Sequence, residues 1–216
     1  MHETRRTGVR FVLTNPSDPG RLDDFSDWYG TYAAALTVPG YLADAVRFEH
    51  PDAGAGQNGA RYATIYDIVT CDPATAWPDT EHSPDYPTYL FSDPRAKLVV
   101  PALRASYALV GSQARPGEHG PLTGIHVILS NGGDDTGRQQ TEAQVLKTGP
   151  FYSAARFRII EGFPEPAEWL EVFETDVGDP LNAYARATSH SPSSSAIKTE
   201  LSESFRLAGT RKTAPA

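Results

Sequence analysis

Cysteine is almost absent from this chain. Cys71 stands alone among 216 residues, which excludes an intramolecular disulfide framework and a zinc site built on cysteines. A reducing cytoplasm is the expected compartment. Long apolar runs are missing too. No stretch approaches the roughly 18–20 residues that cross a bilayer as a helix. None follows Met1-His2-Glu3-Thr4-Arg5-Arg6, so no signal peptide is expected. Positive charge is scarce: 19 Lys and Arg face 27 Asp and Glu, a formal net charge of −8. That argues against a nucleic-acid backbone or an anionic membrane surface as partner. There is no Walker loop and no Gly-x-Ser-x-Gly elbow. No His, Asp and Glu cluster has metal-ligand spacing, so no metal is expected.

What the chain does contain is one pattern written twice. Val9-Arg10-Phe11-Val12-Leu13-Thr14-Asn15 returns as Ile125-His126-Val127-Ile128-Leu129-Ser130-Asn131. Ala45-Val46-Arg47-Phe48 returns as Ala154-Ala155-Arg156-Phe157, and the segment ending Tyr66-Asp67 returns as the one ending Phe173-Glu174. Asp72-Pro73 with Ala76-Trp77 returns as Asp179-Pro180 with Ala183-Tyr184. Tyr107-Ala108-Leu109-Val110-Gly111-Ser112 returns as Phe205-Arg206-Leu207-Ala208-Gly209-Thr210. The matches are collinear and the loops between them shorten in order. This is a duplicated fold unit rather than a solenoid, whose arrays usually need three or more units.

Periodicity fills in each unit. Phe11-Val12-Leu13 is a β-rich run that ends at a turn cluster, Asn15-Pro16-Ser17-Asp18-Pro19-Gly20. Leu22, Phe25, Trp28, Tyr29 and Tyr32 then recur at helical spacing until Pro39-Gly40. Strands follow over 41–50 and 60–70, then a helical segment after Asp72-Pro73. The Pro-, Asp- and Tyr-rich residues 78–94 read as a long ordered loop or lid. Residues 95–103 read as a further helical segment, with a closing strand over 105–110. The second unit repeats the order. Each unit is β-α-β-β-α-β, the ferredoxin-like arrangement. The fold class is α+β, with units over 8–112 and 122–210, a polar linker over 113–121 and a disordered tail over 211–216. One face of each sheet is left apolar, and two such faces cover each other.

Asp27-Trp28-Tyr29, Val38-Pro39-Gly40-Tyr41, Ala45-Val46-Arg47-Phe48, and Arg61-Tyr62-Ala63-Thr64-Ile65-Tyr66-Asp67 with Asp72-Pro73 occur in that order. They resemble the EthD-like branch of the dimeric α/β-barrel superfamily. The resemblance covers most of 8–112 and, more weakly, 122–210. It implies two ferredoxin-like units closing into a barrel, here within one chain, with a small molecule held between sheet and helices. Such families include cofactor-free monooxygenases, polyketide cyclases, lactone isomerases and haem-handling enzymes. Members often carry a histidine on the first helix, about eight residues before the Pro-Gly. This chain has Thr31 there, so chemistry assigned to that histidine does not carry over. The second unit lacks the Trp-Tyr pair, which suggests one furnished pocket and one structural half.

Candidate chemistry is sorted by strand alternation. Val46, Phe48 and His50 share a face, opposite Arg47. His50 is either a general acid or base or a surface histidine at a strand end. His126, mid-strand, is a satisfied core group or a pocket acid/base. Tyr62 and Tyr66 are an aromatic core pair or phenols that meet a substrate carbonyl. Trp28, Tyr29 and Tyr32 cover the sheet or wall a flat ligand. Arg47 and Arg156 form a shared structural ion pair, with Asp67 and Glu174 as candidate partners, or Arg47 binds an anion. Tyr86 and Tyr89, with His82, furnish a lid over the first pocket. His190 is expected to be exposed.

The expected function is a cofactor-independent enzyme acting on a small hydrophobic, aromatic or polyketide-like molecule. Its chemistry would be isomerase, cyclase or lyase proton transfer at a carbonyl. A cofactor-free monooxygenase and a non-catalytic small-molecule carrier are the alternatives. No cofactor is expected, with haem left open should a histidine have free space above it. The oligomeric state is monomer or homodimer.

Overall fold

The computed structural model describes residues 6–50, 52, 60–177, 180, 184, 197–208 and 212–213. The first half runs β1 (Gly8–Pro16), α1 (Leu22–Ala35), β2 (Leu42–Glu49), β3 (Tyr62–Ile68), α2 (Ala76–His82) and β4 (Val99–Ala114). The second runs β5 (Gly124–Asn131), α3 (Asp135–Thr148), β6 (Phe151–Phe163), β7 (Trp169–Thr175) and β8 (Lys198–Leu207), with a short β9 (Lys212–Thr213). The helix expected after β7 lies outside the described residues, as does His190.

All strand pairings are antiparallel, and eight strands close on themselves. The order is β3-β1-β4-β6-β7-β5-β8-β2, and β2 pairs back to β3. Within the halves the orders are β2-β3-β1-β4 and β6-β7-β5-β8, the same arrangement twice. Two seams join them. The β4–β6 seam is long, from Arg104↔Phe163 to Ala114↔Ser153. The β8–β2 seam holds only Phe48↔Leu207 and Glu49↔Arg206.

Alternation along each strand decides which side chains enter the barrel. Val9, Phe11 and Leu13 of β1 point inward, with Val46 and Phe48 of β2, Tyr107 of β4, Phe157 of β6 and Phe205 of β8. The opposite faces carry the helices. Phe25, Trp28, Tyr29 and Ala33 are the buried side of α1 and pack on Val12, Tyr62 and Tyr66. Asp18 opens this helical stretch by accepting from the Gly20 amide at 2.9 Å. Gly40, at φ 86°, makes the left-handed turn that frees the chain to enter β2. Asp134 caps α3 by accepting from the Gly137 amide at 2.7 Å.

The paired sequence matches also meet equivalent surroundings. A Cβ on Gly8 would lie 2.4 Å from the Tyr107 carbonyl and 3.2 Å from Pro73. One on Gly124 would lie 2.7 Å from the Phe205 carbonyl and 3.0 Å from Pro180. Register shifts fall between Leu13 and Thr14 against β4, and between Leu129 and Ser130 against β8.

Four local expectations need correction. Residues 78–94 are not one loop: α2 extends to His82 and a 3-10 turn spans Thr88–Ser92. Residues 95–103 are helical only as a 3-10 turn to Leu98, because Val99 and the residues after it pair with β1. Gln113 and Ala114 belong to β4 rather than to a linker, drawn in by the seam with β6. Lys212 and Thr213 are not a free tail but pair with Ala45 and Asp44.

Candidate functional site

Several segments of the first half meet around a cavity of about 210 Å³. Its floor is the helix-facing side of β1, where alternation sets Arg10, Val12 and Thr14 in a row. Tyr66 of β3 sits beside Arg10 as its strand partner. From α1 come Trp28, Tyr29 and Tyr32, with Trp28 and Tyr32 stacked at 5.1 Å. Trp28 is held in place because its indole N–H donates to the Leu90 carbonyl at 3.1 Å. One turn of α2 contributes Trp77 and Glu81. Tyr86, Phe91 and Arg104 complete the wall. Tyr29 and Tyr66 are buried at depth, while Glu81, Phe91 and Arg104 are exposed at the mouth.

Arg10 is the buried cation of this cavity, only 7% exposed. Its guanidinium carbon lies 3.4 Å from the centre of the Trp77 ring. Its Nη1 donates to Ser106 Oγ at 3.0 Å and pairs with Glu161 Oε1 of β6 at 3.5 Å, across the long seam. Burial lowers its proton affinity and Glu161 works against that. A guanidinium nevertheless stays charged at neutral pH. The Tyr66 hydroxyl donates to the Tyr29 hydroxyl at 3.4 Å. The Tyr32 and Tyr86 hydroxyls lie 3.5 Å apart. Burial pushes the phenols of Tyr29, Tyr32 and Tyr66 up, so all three are neutral donors, not bases, near neutral pH. Arg10 and these hydroxyls can stabilise an oxygen that gains negative charge. The Thr14 hydroxyl is buried and has no hydrogen-bond partner among the described residues.

Five residues singled out in the sequence therefore meet at one cavity: Trp28, Tyr29, Tyr32, Tyr66 and Tyr86. The others lie elsewhere. Tyr62 is buried against Phe25 at 5.1 Å and does not line the cavity. Tyr89 points to solvent, 69% exposed. Arg47 lies over the Tyr62 ring at 5.1 Å and in a separate open groove along α1. It is not paired with Asp67, whose carboxylate meets Arg6 at 2.7 Å. Arg156 does not pair with Glu174 but with Asp135 and Glu142. His50 is buried rather than at the surface. Its Nδ1 accepts from the Asp52 amide at 3.2 Å and its ring meets Phe205 edge-on at 5.7 Å. It faces away from Arg47, so the two do not act on one ligand. His82 is exposed on α2, its Nδ1 2.7 Å from the Pro78 carbonyl.

His126 belongs to the second half. Its Nδ1 lies 2.7 Å from Ser204 Oγ and its Nε2 lies 3.1 Å from Ser202 Oγ. Its ring stacks on Tyr184 at 3.8 Å. Burial pushes its pKa down to about 3 from 6.5, so the folded protein holds it neutral while the unfolded chain protonates it below about pH 6.5. Its contribution to stability is complete above that pH and is lost as pH falls towards 3. His126→Phe is expected to flatten the acid limb of a urea-unfolding series between pH 6.5 and 4. An unchanged slope would show that the imidazole takes up its proton as readily in the folded state as in the unfolded chain.

In the second half a buried charge network lies between α3 and the sheet. Arg138 of α3 is 0% exposed. It donates to Glu171 at 2.7 Å and to Ser130 Oγ at 2.8 Å, and its guanidinium covers the Trp169 ring at 4.6 Å. Arg156 bonds Glu142 at 2.7 Å. Burial pushes Glu171 up to about 7, opposed by Arg138. This network occupies positions that aromatic rings hold in the first half.

Arg10, Thr14, Trp77, Glu81, Phe91 and Arg104 were not singled out as site residues. One signal was present. Arg10 matches His126 and Trp77 matches Tyr184 in the repeated sequence. Both pairs touch in space, one as a cation over a ring and the other as stacked rings.

No protein-family model matches this sequence, and no curated protein is similar to it. Solved structures are similar in fold. An anthrone oxidase-like protein has TM-score 0.55 at 6% identity, covering 99% of this chain and 96% of its own. A variant of the chlorite dismutase from Candidatus Nitrospira defluvii has TM-score 0.58 at 12% identity, covering 94% and 92%. A protein of Fusobacterium nucleatum, assigned by name alone to the monooxygenases, has TM-score 0.57 at 6% identity, covering 99% and 96%. At these identities the likeness concerns the fold: the chain has the architecture of the dimeric α/β-barrel proteins. No described helix is long and apolar enough to cross a membrane.

Haem-handling proteins are among those the family resemblance brought in. No histidine, cysteine or methionine is among the described residues lining the cavity, and both ring nitrogens of His126 are engaged. These residues do not fit a haem held by such a ligand. Among the described residues no group of three His, Cys, Asp or Glu could hold a metal ion.

Proposed function

We propose that this protein is a cofactor-independent enzyme that moves a proton next to a carbonyl of a small, flat, aromatic or polyketide-like molecule. One observation carries the reading: a buried guanidinium and several neutral phenols converge on a cavity otherwise walled by aromatic rings. A dry cavity of about 150 Å³ is enough to hold benzene, so about 210 Å³ suits one substituted ring or two fused ones. The carbonyl oxygen points towards Arg10, Tyr32 and Tyr66. Glu81, the carboxylate at the mouth, takes the proton from the adjacent carbon. The C–H electron pair moves into the carbonyl and leaves an enolate, which Arg10 and the phenols stabilise. Return of the proton to another carbon gives an isomer. Attack by the enolate carbon on a second carbonyl gives a cyclised product.

A carrier would offer an apolar pocket with no titratable group facing the ligand, and Arg10, Glu81 and the tyrosines face this one. A cofactor-free monooxygenase is the second reading, favoured by the names of two fold neighbours. The same carbanion would pass its electrons to dioxygen, giving an oxygenated product and water. The EthD-like assignment and the origin of the two halves as copies of one unit belong to this reading. The first rests on the sequence resemblance, and the second is supported by the matched glycines, strand irregularities and ring contacts.

Glu81→Gln is expected to slow proton exchange into an enolisable aromatic ketone by about 10²- to 10⁴-fold. The exchange is followed by NMR in deuterated water. Exchange at the wild-type rate would remove Glu81 from the chemistry. Oxygen uptake without exchange would favour the monooxygenase, and binding without either would favour a carrier.

A further inference from the structure

We infer that the substrate is an aromatic keto acid, its carboxylate held at the cavity mouth by Arg104 and its reacting carbonyl deeper, at Arg10. This rests on the reading of the cavity as a site for an aromatic carbonyl compound and names that compound more closely.

Strand register places the two arginines. In the pairing of β1 with β4, Arg10 stands opposite Ser106 and Arg104 opposite Val12. Arg104 is therefore the diagonal neighbour of Arg10, on the order of 7–8 Å away between Cα atoms. Leu103, Ala105 and Tyr107 turn into the barrel. Arg104 and Ser106 alternate to the other face, and Arg104 lines the cavity with Arg10. The two charges are compensated differently. Arg10 is buried and has Glu161 at 3.5 Å. Arg104 is exposed at the mouth, and its guanidinium makes no hydrogen bond, ion pair or ring contact among the described residues. Like charges on neighbouring strands repel, and only one of this pair has a carboxylate in contact.

The second half gives the contrast. Ser202 stands opposite Ile128 as Arg104 stands opposite Val12, and Ser204 opposite His126 as Ser106 stands opposite Arg10. Both serines bond the imidazole, Ser204 Oγ at 2.7 Å from Nδ1 and Ser202 Oγ at 3.1 Å from Nε2. In the first half only Ser106 serves Arg10 in this way. The second position carries a cation at the rim of a cavity instead. A guanidinium offers its N–H groups as a planar fork that fits a carboxylate. A single uncompensated positive charge suits a carboxylate better than a phosphate monoester, which carries nearly two negative charges near neutral pH and would share the mouth with Glu81.

Isothermal titration calorimetry with 3-acetylbenzoate, 3-acetylbenzamide and 3-acetylphenyl phosphate tests this. The acid and the amide have nearly the same shape, so their difference reports the charge. The wild-type protein is expected to bind the acid roughly 10-fold more tightly than the amide, although its own net charge of −8 opposes this. In Arg104→Gln the two should bind within about 2-fold of each other. Arg104→Lys keeps the charge without the fork and should retain a preference of roughly 3- to 5-fold. Melting temperatures should stay level, because the side chain is exposed and unpaired. Equal binding of acid and amide by the wild type, or a preference that survives in Arg104→Gln, overturns the inference while leaving the aromatic site intact. Tighter binding of the phosphate than of the acid overturns the carboxylate assignment. A fall in melting temperature in both variants would assign Arg104 to the fold instead. If neither acid nor amide binds at millimolar concentration, the aromatic-site reading falls and this inference with it.

Discussion

Arg138→Met is expected to lower the unfolding free energy by about 3–5 kcal/mol, the usual effect of removing one partner from a buried ion pair. The variant would leave the buried Glu171 without its guanidinium and would take the donors from Ser130 and the Gly132 carbonyl. Methionine has a similar length, so the loss would reflect stranded charge more than an empty volume. The double variant Arg138→Met with Glu171→Leu separates the two causes and should regain most of the stability. Urea unfolding at pH 7 measures both. A single variant within about 1 kcal/mol of wild type would mean that Glu171 takes up a proton at little cost. Burial already pushes that carboxyl up to about 7.

Arg10→Met is expected to reduce kcat/KM by about 10²- to 10³-fold in whatever reaction the cavity supports, the usual loss when one oxyanion-stabilising donor is removed. The side chain is buried over Trp77, bonded to Ser106 and close to Tyr32 and Tyr66. Its charge is thus held at one place before a ligand arrives. The fall should appear in kcat and kcat/KM alike, because the interaction strengthens only as charge develops on the oxygen. Arg10→Lys keeps the charge but loses the planar stack and the forked donors, so it should recover only part of the rate. A rise in KM with kcat unchanged would make Arg10 a binding residue only. Melting temperatures of both variants guard against an indirect effect through the Glu161 contact.

How much of this was legible beforehand varies by residue. The helix Leu22–Ala35 was readable because Phe25, Trp28, Tyr29 and Tyr32 recur at helical spacing and Pro39-Gly40 ends it. The faces of β2 and β3 followed from alternation alone. His50 was harder. Its place at a strand end suggests solvent, but Phe205 arrives from β8 of the other half and covers it. Arg47 and Tyr66 both lie on helix-facing sides of neighbouring strands. No sequence rule says that one opens onto a groove and the other onto a separate cavity. Glu81 looked ordinary because a carboxylate on a short helix is common. Only the cavity beside it gives it a part.

The sequence by itself determined the order of elements, the faces of each strand and the matched layout of the two halves. These depend on local periodicity, turn residues and collinear spacing, which are properties of the chain read in one dimension. The tertiary structure alone decided that Arg10 opens onto a cavity while Tyr184 stacks directly on its counterpart His126. That outcome turns on whether Trp28, Tyr32 and Tyr86 leave room beside Arg10, and on how closely Tyr184 packs over the imidazole. Both depend on distances between side chains from elements remote in sequence. Packing sets those distances, and no pattern along the chain records them.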